Sequence, residues 1–283
     1  MEHSHKHSRE HSHQHSHTDE HTHHEHGHTH EYQHNTHGKT QQKILCIRPQ
    51  SGLSGDMLLC GLASLLELSQ EQLNSHIKTL NFPQLEDRVR IEDRFVNGIR
   101  GKSAHITLEH EHAHRTLADI EKIIEKSGMH ENSKDLAVKT FTLLAEAEGN
   151  VHGKEADSVT FHEVGALDSI LDICLVCALY TELAPDNFIC GPLPLADGTI
   201  HCMHGLIPSP APAVLALLQG AAVCPFAGKG ETVTPTAIAL LKTLEAHFEN
   251  WASMRMEKTV LVYGGKIFEN APNGSIFALG TSL

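Results

Sequence analysis

VTFHEVGALDSILDICLVCALYTEL, running from Val159 to Leu183, is the stretch whose reading decides the fold. Val159-Thr160-Phe161 is β-branched and aromatic, the composition of a short strand. A glycine-bearing loop follows, and then an apolar run of helix length from about Leu167 to Leu183, broken in its middle by Asp172. That run is too long for a strand and far too short to cross a bilayer. A strand that feeds a helix apolar on all sides predicts an α/β chain in which the helix is buried.

The same alternation extends outward in both directions. Upstream, Lys43–Arg48 predicts a first strand closed by Pro49 and a turn of Ser and Gly, and Gly55–Leu68 and Gln70–Thr79 have helical spacing. Arg88–Glu109 predicts a hairpin turning at Asn97-Gly98. Thr116–Lys126 and Lys134–Glu148 are helical. Downstream, Phe188–Cys190 predicts a short strand, and Pro212 and Pro235 suit first helical positions, the second with Thr234 as its cap. Val260–Tyr263 and Ser275–Leu279 read as closing strands. One strand pair is a hairpin while the others alternate with helices, so the expected fold is a mixed α/β sheet with flanking helices over residues 41–283. That length of about 240 residues is enough for one large domain or two small ones.

Residues 1–40 are of another kind. Fifteen of the 26 histidines lie in the first 37 residues, and the segment has no Ala, Val, Leu, Ile or Phe. It cannot bury enough apolar area to offset its ordering entropy, so a disordered tail is expected. Neutral imidazole suits nickel, zinc and copper. The candidate ligands are His3, His5, His7, His11, His13, His15, His17, His21, His23, His24, His26, His28 and His30. An appended tag is the plain alternative, but the histidines are interleaved with Ser, Thr, Gln and Glu, which favours metal capture or buffering.

The formal charge of −13 with histidine neutral argues against nucleic acid as a principal partner. No stretch reads as a membrane span or a signal-peptide core. Seven irregularly spaced cysteines do not form a disulfide framework, so a cytoplasmic, reducing compartment is expected.

Three segments carry chemistry-bearing side chains. Ser51-Gly-Leu-Ser54-Gly55-Asp56 joins a strand to a helix, where backbone N–H groups favour an anion such as a phosphate; a structural glycine turn is the alternative. In the deciding stretch, Asp168 and Asp172 are four residues apart and share a helix face, with His162 and Glu163 entering from the preceding loop. Asp168 also suits a helix cap. Asp172 sits among Leu171, Ile173 and Cys174, and a buried carboxylate there needs a cation, a donor or a metal. His201-Cys202-Met203-His204 packs four soft or borderline ligands together. Cys174-Leu-Val-Cys177 has zinc-like spacing but no second pair, so core cysteines are expected. His110, His112 and His114 form a second His-x-His run.

These motifs, in order, resemble a known family. Ser51-Gly-Leu-Ser-Gly-Asp-Met57, His114-Arg115, Ala145-Glu-Ala-Glu148 with Val151-His152-Gly153, Phe161–Ile170, His204-Gly205 with Pro208-Ser-Pro-Ala-Pro212, and Glu231-Thr-Val-Thr-Pro-Thr236 are similar to the N-terminal part of the nickel insertion proteins. Those proteins make the nickel-pincer nucleotide cofactor of lactate racemase. The chain departs from the family pattern at Ala196-Asp197-Gly198 and at Ala237-Ile238. The resemblance implies insertion of nickel into pyridinium-3,5-bisthiocarboxylic acid mononucleotide. That reaction is a cyclometallation coupled to CTP hydrolysis with Mn or Mg, CTP being held by a C-terminal portion that is absent here.

A ring C–H must lose its proton as nickel bonds to that carbon, so an acceptor beside the metal is required. His162, Glu163 and Asp168 are the candidate catalytic residues. Substrate binding is expected at Ser54, Gly55, Asp56, Thr234 and Thr236, and nickel binding at His162, Asp172 and His204 besides the tail. The candidate protein partners are a separate C-terminal portion of the same enzyme and a second copy of the chain in a homo-oligomer. Two other classes compete: a non-catalytic nickel store or metallochaperone, and a metal-dependent hydrolase built on His162, Glu163 and Asp168.

Overall fold

A computed structural model describes residues 41–107, 114–161, 164–202, 204–269 and 271–283. The described residues fall in one compact unit, Thr40–Leu283.

The elements follow in chain order. β1 (Lys43–Arg48) leads to α1 (Gly55–Leu65) and α2 (Gln70–Thr79), then to the hairpin of β2 (Val89–Val96) and β3 (Ile99–Ile106). β4 (Arg115–Thr116), α3 (Leu117–Glu125), α4 (Glu131–His152), β5 (Thr160–Phe161) and α5 (Leu167–Leu183) form the middle of the chain. Next come β6 (Asn187–Cys190), β7 (Leu193–Leu195), β8 (Gly198–Cys202), β9 (Gly205–Ser209), α6 (Pro212–Leu217) and β10 (Val223–Pro225). α7 (Pro235–Thr243), β11 (His247–Phe248), β12 (Met254–Val262) and β13 (Ser275–Ser282) close the fold.

Among the described residues the main sheet has seven strands in the order β11-β6-β1-β13-β12-β3-β2. β1 runs parallel to β6 and antiparallel to β13, so the sheet is mixed, as expected. α1 lies against β3, β12 and β13 and backs onto α5, which also packs on α4 and α7. α5 is buried along nearly its whole length because its sequence offers no polar face; Leu171, Ile173, Leu175, Val176 and Leu179 are all sealed from solvent. Cys174 and Cys177 are free and buried in it, core residues as expected, and burial alone pushes the Cys174 thiol up to about 12. No helix among the described residues is long and apolar enough to cross a membrane.

Several boundaries differ from the expected ones. β12 begins at Met254 and β13 runs on to Ser282, because long-range pairing extends both strands past their most apolar residues, with a register shift between Met256 and Lys258. α4 starts at Glu131, capped by the His130 side chain, and continues to His152, where Gly153 takes the left-handed conformation that ends it. The cap of α5 is Ala166, and Asp168 sits one position inside the first turn, accepting from the Ser169 N–H at 2.8 Å. The β8–β9 hairpin was not foreseen; proline and histidine within it mask the strand pattern.

Candidate functional site

The loop between β1 and α1 is held from two sides. Leu53 pairs with Val233, its N–H donating to the Thr232 carbonyl at 2.9 Å while the Thr234 N–H donates to the Leu53 carbonyl at 3.1 Å. From the sheet, the Ser275 hydroxyl donates to the Gly52 carbonyl at 2.7 Å. Gly52 is required here: its φ is +132°, and a Cβ would lie 1.9 Å from the Thr232 carbonyl oxygen. This pairing brings the N-termini of α1 and α7 to one wall of a cleft of about 1090 Å³. The other walls come from residues 197–200 at the base of the β8–β9 hairpin, 226–232, 264–266 and 268.

Ser54, Asp56 and Thr234 all line this cleft. Ser54 is the cap residue of α1, yet its hydroxyl donates to Asp56 Oδ1 instead of capping the helix. The Asp56 carboxylate thus sits in the first turn of α1, beside the backbone N–H groups of the helix N-terminus. Thr234 caps α7, accepting from the Ala237 N–H at 3.2 Å, and its hydroxyl lies 2.8 Å from that of Thr236.

Gly55 is buried beneath the cleft floor, and its missing side chain makes room for Asp172, whose Oδ2 lies 2.7 Å from where a Cβ would stand. Asp172 Oδ1 is buried without a hydrogen-bond partner. Burial first, then the neighbouring charges of Asp56 and Asp168, push the Asp172 carboxyl well above the usual range. Asp56 is also raised, by burial, against the lowering effects of Ser54, the Met57 N–H and Arg94. The fold thus gathers Ser54, Gly55, Asp56, Asp168 and Asp172 around the adjoining ends of α1 and α5.

His204 stands elsewhere, at the tip of the β8–β9 hairpin, with its ring centroid 4.9 Å from that of His152. Among the described residues, no three His, Cys, Asp or Glu side chains are gathered into a ready-made metal site. His162, Glu163, His110, His112 and the tail histidines from His3 to His30 lie outside the described residues.

Sequence reasoning missed the far wall of the cleft. Phe226 and Phe268 meet edge to face with centroids 4.8 Å apart. Lys266 Nζ lies 4.8 Å from the Phe268 centroid and donates to the Lys229 carbonyl at 2.6 Å. The Asn273 side chain clamps the backbone of Phe268 by two hydrogen bonds of 2.8 and 2.7 Å. The available signal was Gly228-Lys229-Gly230 and Gly264-Gly265-Lys266, two lysines each set among glycines. Asp56, Asp197 and Glu231 line the cleft together with Lys229 and Lys266, so it offers both signs of charge around aromatic rings. That combination suits a planar ring bearing both signs of charge.

The family described as nickel insertion protein matches residues 45–279. A Staphylococcus epidermidis protein named pyridinium-3,5-bisthiocarboxylic acid mononucleotide nickel insertion protein is 34% identical over 231 residues, covering 82% of this chain and 58% of the relative. Two proteins provisionally named nickel insertion proteins are also similar. The one from Dictyoglomus thermophilum is 36% identical, covering 77% of this chain and 56% of the relative. The one from Geobacter metallireducens is 38% identical, covering 82% and 59%. The chain thus spans less than three-fifths of each of these relatives. No solved structure matches the chain.

Proposed function

The chain belongs to the nickel insertion protein family, and from that premise we propose that it binds nickel and pyridinium-3,5-bisthiocarboxylic acid mononucleotide for cyclometallation of the pyridinium ring. The observation that carries this reading is the cleft, with its paired phenylalanines, its lysines and Asp56. The Phe226–Phe268 pair offers the ring an aromatic surface, Asp56 faces its positive nitrogen, and Lys229 and Lys266 take its anionic groups.

In the reaction the pair of electrons in the ring C–H bond becomes the carbon–nickel bond, and the proton leaves to a base. The two thiocarboxylates supply the sulfur ligands. His162, Glu163 and Asp168 are the proposed catalytic residues, with His162 or Glu163 as the proton acceptor. Thr236 and Gly55 act by shaping the ends of α7 and α1. Coupling to CTP with Mn or Mg is assigned to the part of the relatives that lies outside the matched region, since this sequence has no triphosphate-binding glycine loop of its own.

The test is equilibrium binding of the mononucleotide to the full chain, followed by an insertion assay. That assay contains nickel, CTP, Mg or Mn and a relative's C-terminal portion. Lys266→Ala is expected to weaken mononucleotide binding by about tenfold or more, the loss of a charge-assisted contact. Nickel uptake with no mononucleotide binding would favour a nickel store over an insertase and sink the proposal.

A further inference from the structure

The contact between His152 and His204 lies away from the cleft-lining residues. His152 is the last residue of α4, and His204 follows Cys202 closely at the turn between β8 and β9. Their ring centroids are 4.9 Å apart and the planes are tilted by 44°. One helical turn back, Glu148 Oε2 lies 3.5 Å from His152 Nε2, and the His152 side chain keeps 34% of its surface in solvent. His204 is exposed.

From this arrangement we propose that His152 and His204 form a two-imidazole site for a borderline divalent cation, with nickel as the ion it takes. The reading goes beyond the cleft and stands without a substrate in it. Three physical features converge on the pair. Imidazole nitrogen is a good ligand for nickel. Glu148 engages one ring nitrogen of His152, which orients the ring and leaves the other nitrogen for the metal. α4 is 22 residues long, and the carbonyls of its last turn present a partial negative charge that favours a cation where His152 sits.

Two imidazoles fill only part of a nickel ion's coordination sphere, so the ion is held loosely enough to be taken up and given up, as a transfer step requires. The hairpin also ties the pair to the cleft. Residues 198–200 at the base of β8 line the cleft, and His204 is four residues beyond Ile200. At about 3.3 Å per residue that is a separation on the order of 13 Å. Nickel on the pair therefore sits at the tip of the element whose base forms the substrate wall.

The experiment uses the chain from Gln41 onward, whose hydrophobic core is built of residues between Leu45 and Leu279, so that tail histidines do not mask the signal. Nickel(II) alone is titrated in competition with a chromophoric chelator, and X-ray absorption at the nickel edge reports the imidazole ligands. The wild-type sequence is expected to bind nickel with two imidazole scatterers. His152→Ala and His204→Asn should each weaken binding more than Glu148→Gln does, the latter by about tenfold, and the double variant should lose the site. Both histidines reach solvent, so unchanged thermal unfolding is expected in every variant and serves as the folding control. Nickel binding by the double variant with unchanged affinity and an unchanged absorption edge would overturn the proposal.

Discussion

Asp172 is the residue on which local chemistry turns. Its Oδ1 is buried and unpartnered, and burial together with Asp56 and Asp168 raises its carboxyl above the unfolded reference of about 3.9. A group whose folded pKa is raised holds its proton more tightly in the folded state. Its stabilising contribution is complete below about pH 4 and is lost as pH rises through the folded value. Stability should therefore fall with rising pH over that window, and Asp56, raised in the same direction, adds to the slope. Asp172→Asn removes the charge that cannot be solvated. Thermal unfolding from about pH 4 to pH 8 should show a flatter profile for the variant, and a melting point at or above wild type at the alkaline end. Asp168→Asn, on an exposed carboxylate, should change stability by no more than about 0.5 kcal/mol. If Asp172→Asn is strongly destabilising at pH 8, the carboxylate is ionised and paired, and the account of the α1–α5 junction fails. The sequence marked Asp172 as anomalous because apolar neighbours surround it. The identity of those that crowd it, Gly55 and Asp56 from a helix more than a hundred residues away, is a tertiary fact that no local pattern carries.

At the scale of elements, what could be read from sequence was what is settled locally. β1, α2 and α5 begin and end where expected, because each is bounded by its own punctuation: Pro49 after β1, Ser69 capping α2 with Gln72 in reciprocal contact, and Pro185 shortly after α5. The β2–β3 turn follows its Asn-Gly signal, with both residues at positive φ. The first half of β12 and the β8–β9 hairpin were not legible, since these strands exist by pairing with partners that the sequence does not announce. The cleft falls between these cases. Its α1 and α7 edges were legible as helix starts, while its aromatic wall, Phe226 and Phe268, is made by two loops brought together only by the fold. The joint between the two legible edges is the Leu53–Val233 bridge, and it can be tested through Gly52. Gly52→Ala places a methyl against a backbone carbonyl, which cannot rotate away, so it should cost about 2 kcal/mol or more in urea unfolding and weaken mononucleotide binding with it. Gly98→Ala is the control: φ is also positive, but nothing lies within 4 Å of the new methyl, so only the intrinsic strain of about 1–2 kcal/mol is expected, with binding unaffected. Equal losses for both variants would mean that the bridge does not hold the cleft.

For the whole molecule, the composition sets two stretches of chain apart. The hydrophobic core lies within residues 45–279, and residues 1–40 contribute no aliphatic side chain to it. Those forty residues carry fifteen histidines, and the formal charge of the chain is −13, which raises the local concentration of cations around it. Deleting residues 1–40 should therefore remove most bound nickel equivalents while leaving thermal unfolding in metal-free buffer unchanged, as metal counting and calorimetry on both chains would show. The equivalents carried by the first forty residues should also be released on acidification from about pH 7 to pH 5, because unperturbed imidazoles gain a proton near pH 6.5 and a protonated ring cannot bind metal. Nickel that remains after deletion is expected on the His152–His204 pair, so the two populations separate by chain length as well as by affinity. A truncated chain that melts much earlier, or that keeps nearly all its nickel, would reverse the assignment. In the first outcome the histidine-rich segment is part of the folded structure, and in the second the capacity resides in the core. The division has a mechanistic reason. A segment with many overlapping imidazole sites gathers metal without geometric selectivity, whereas formation of a carbon–nickel bond needs one ion delivered at one position. Under the proposed function, the cleft and the hairpin that joins it to His204 supply that position, and a segment without apolar residues cannot.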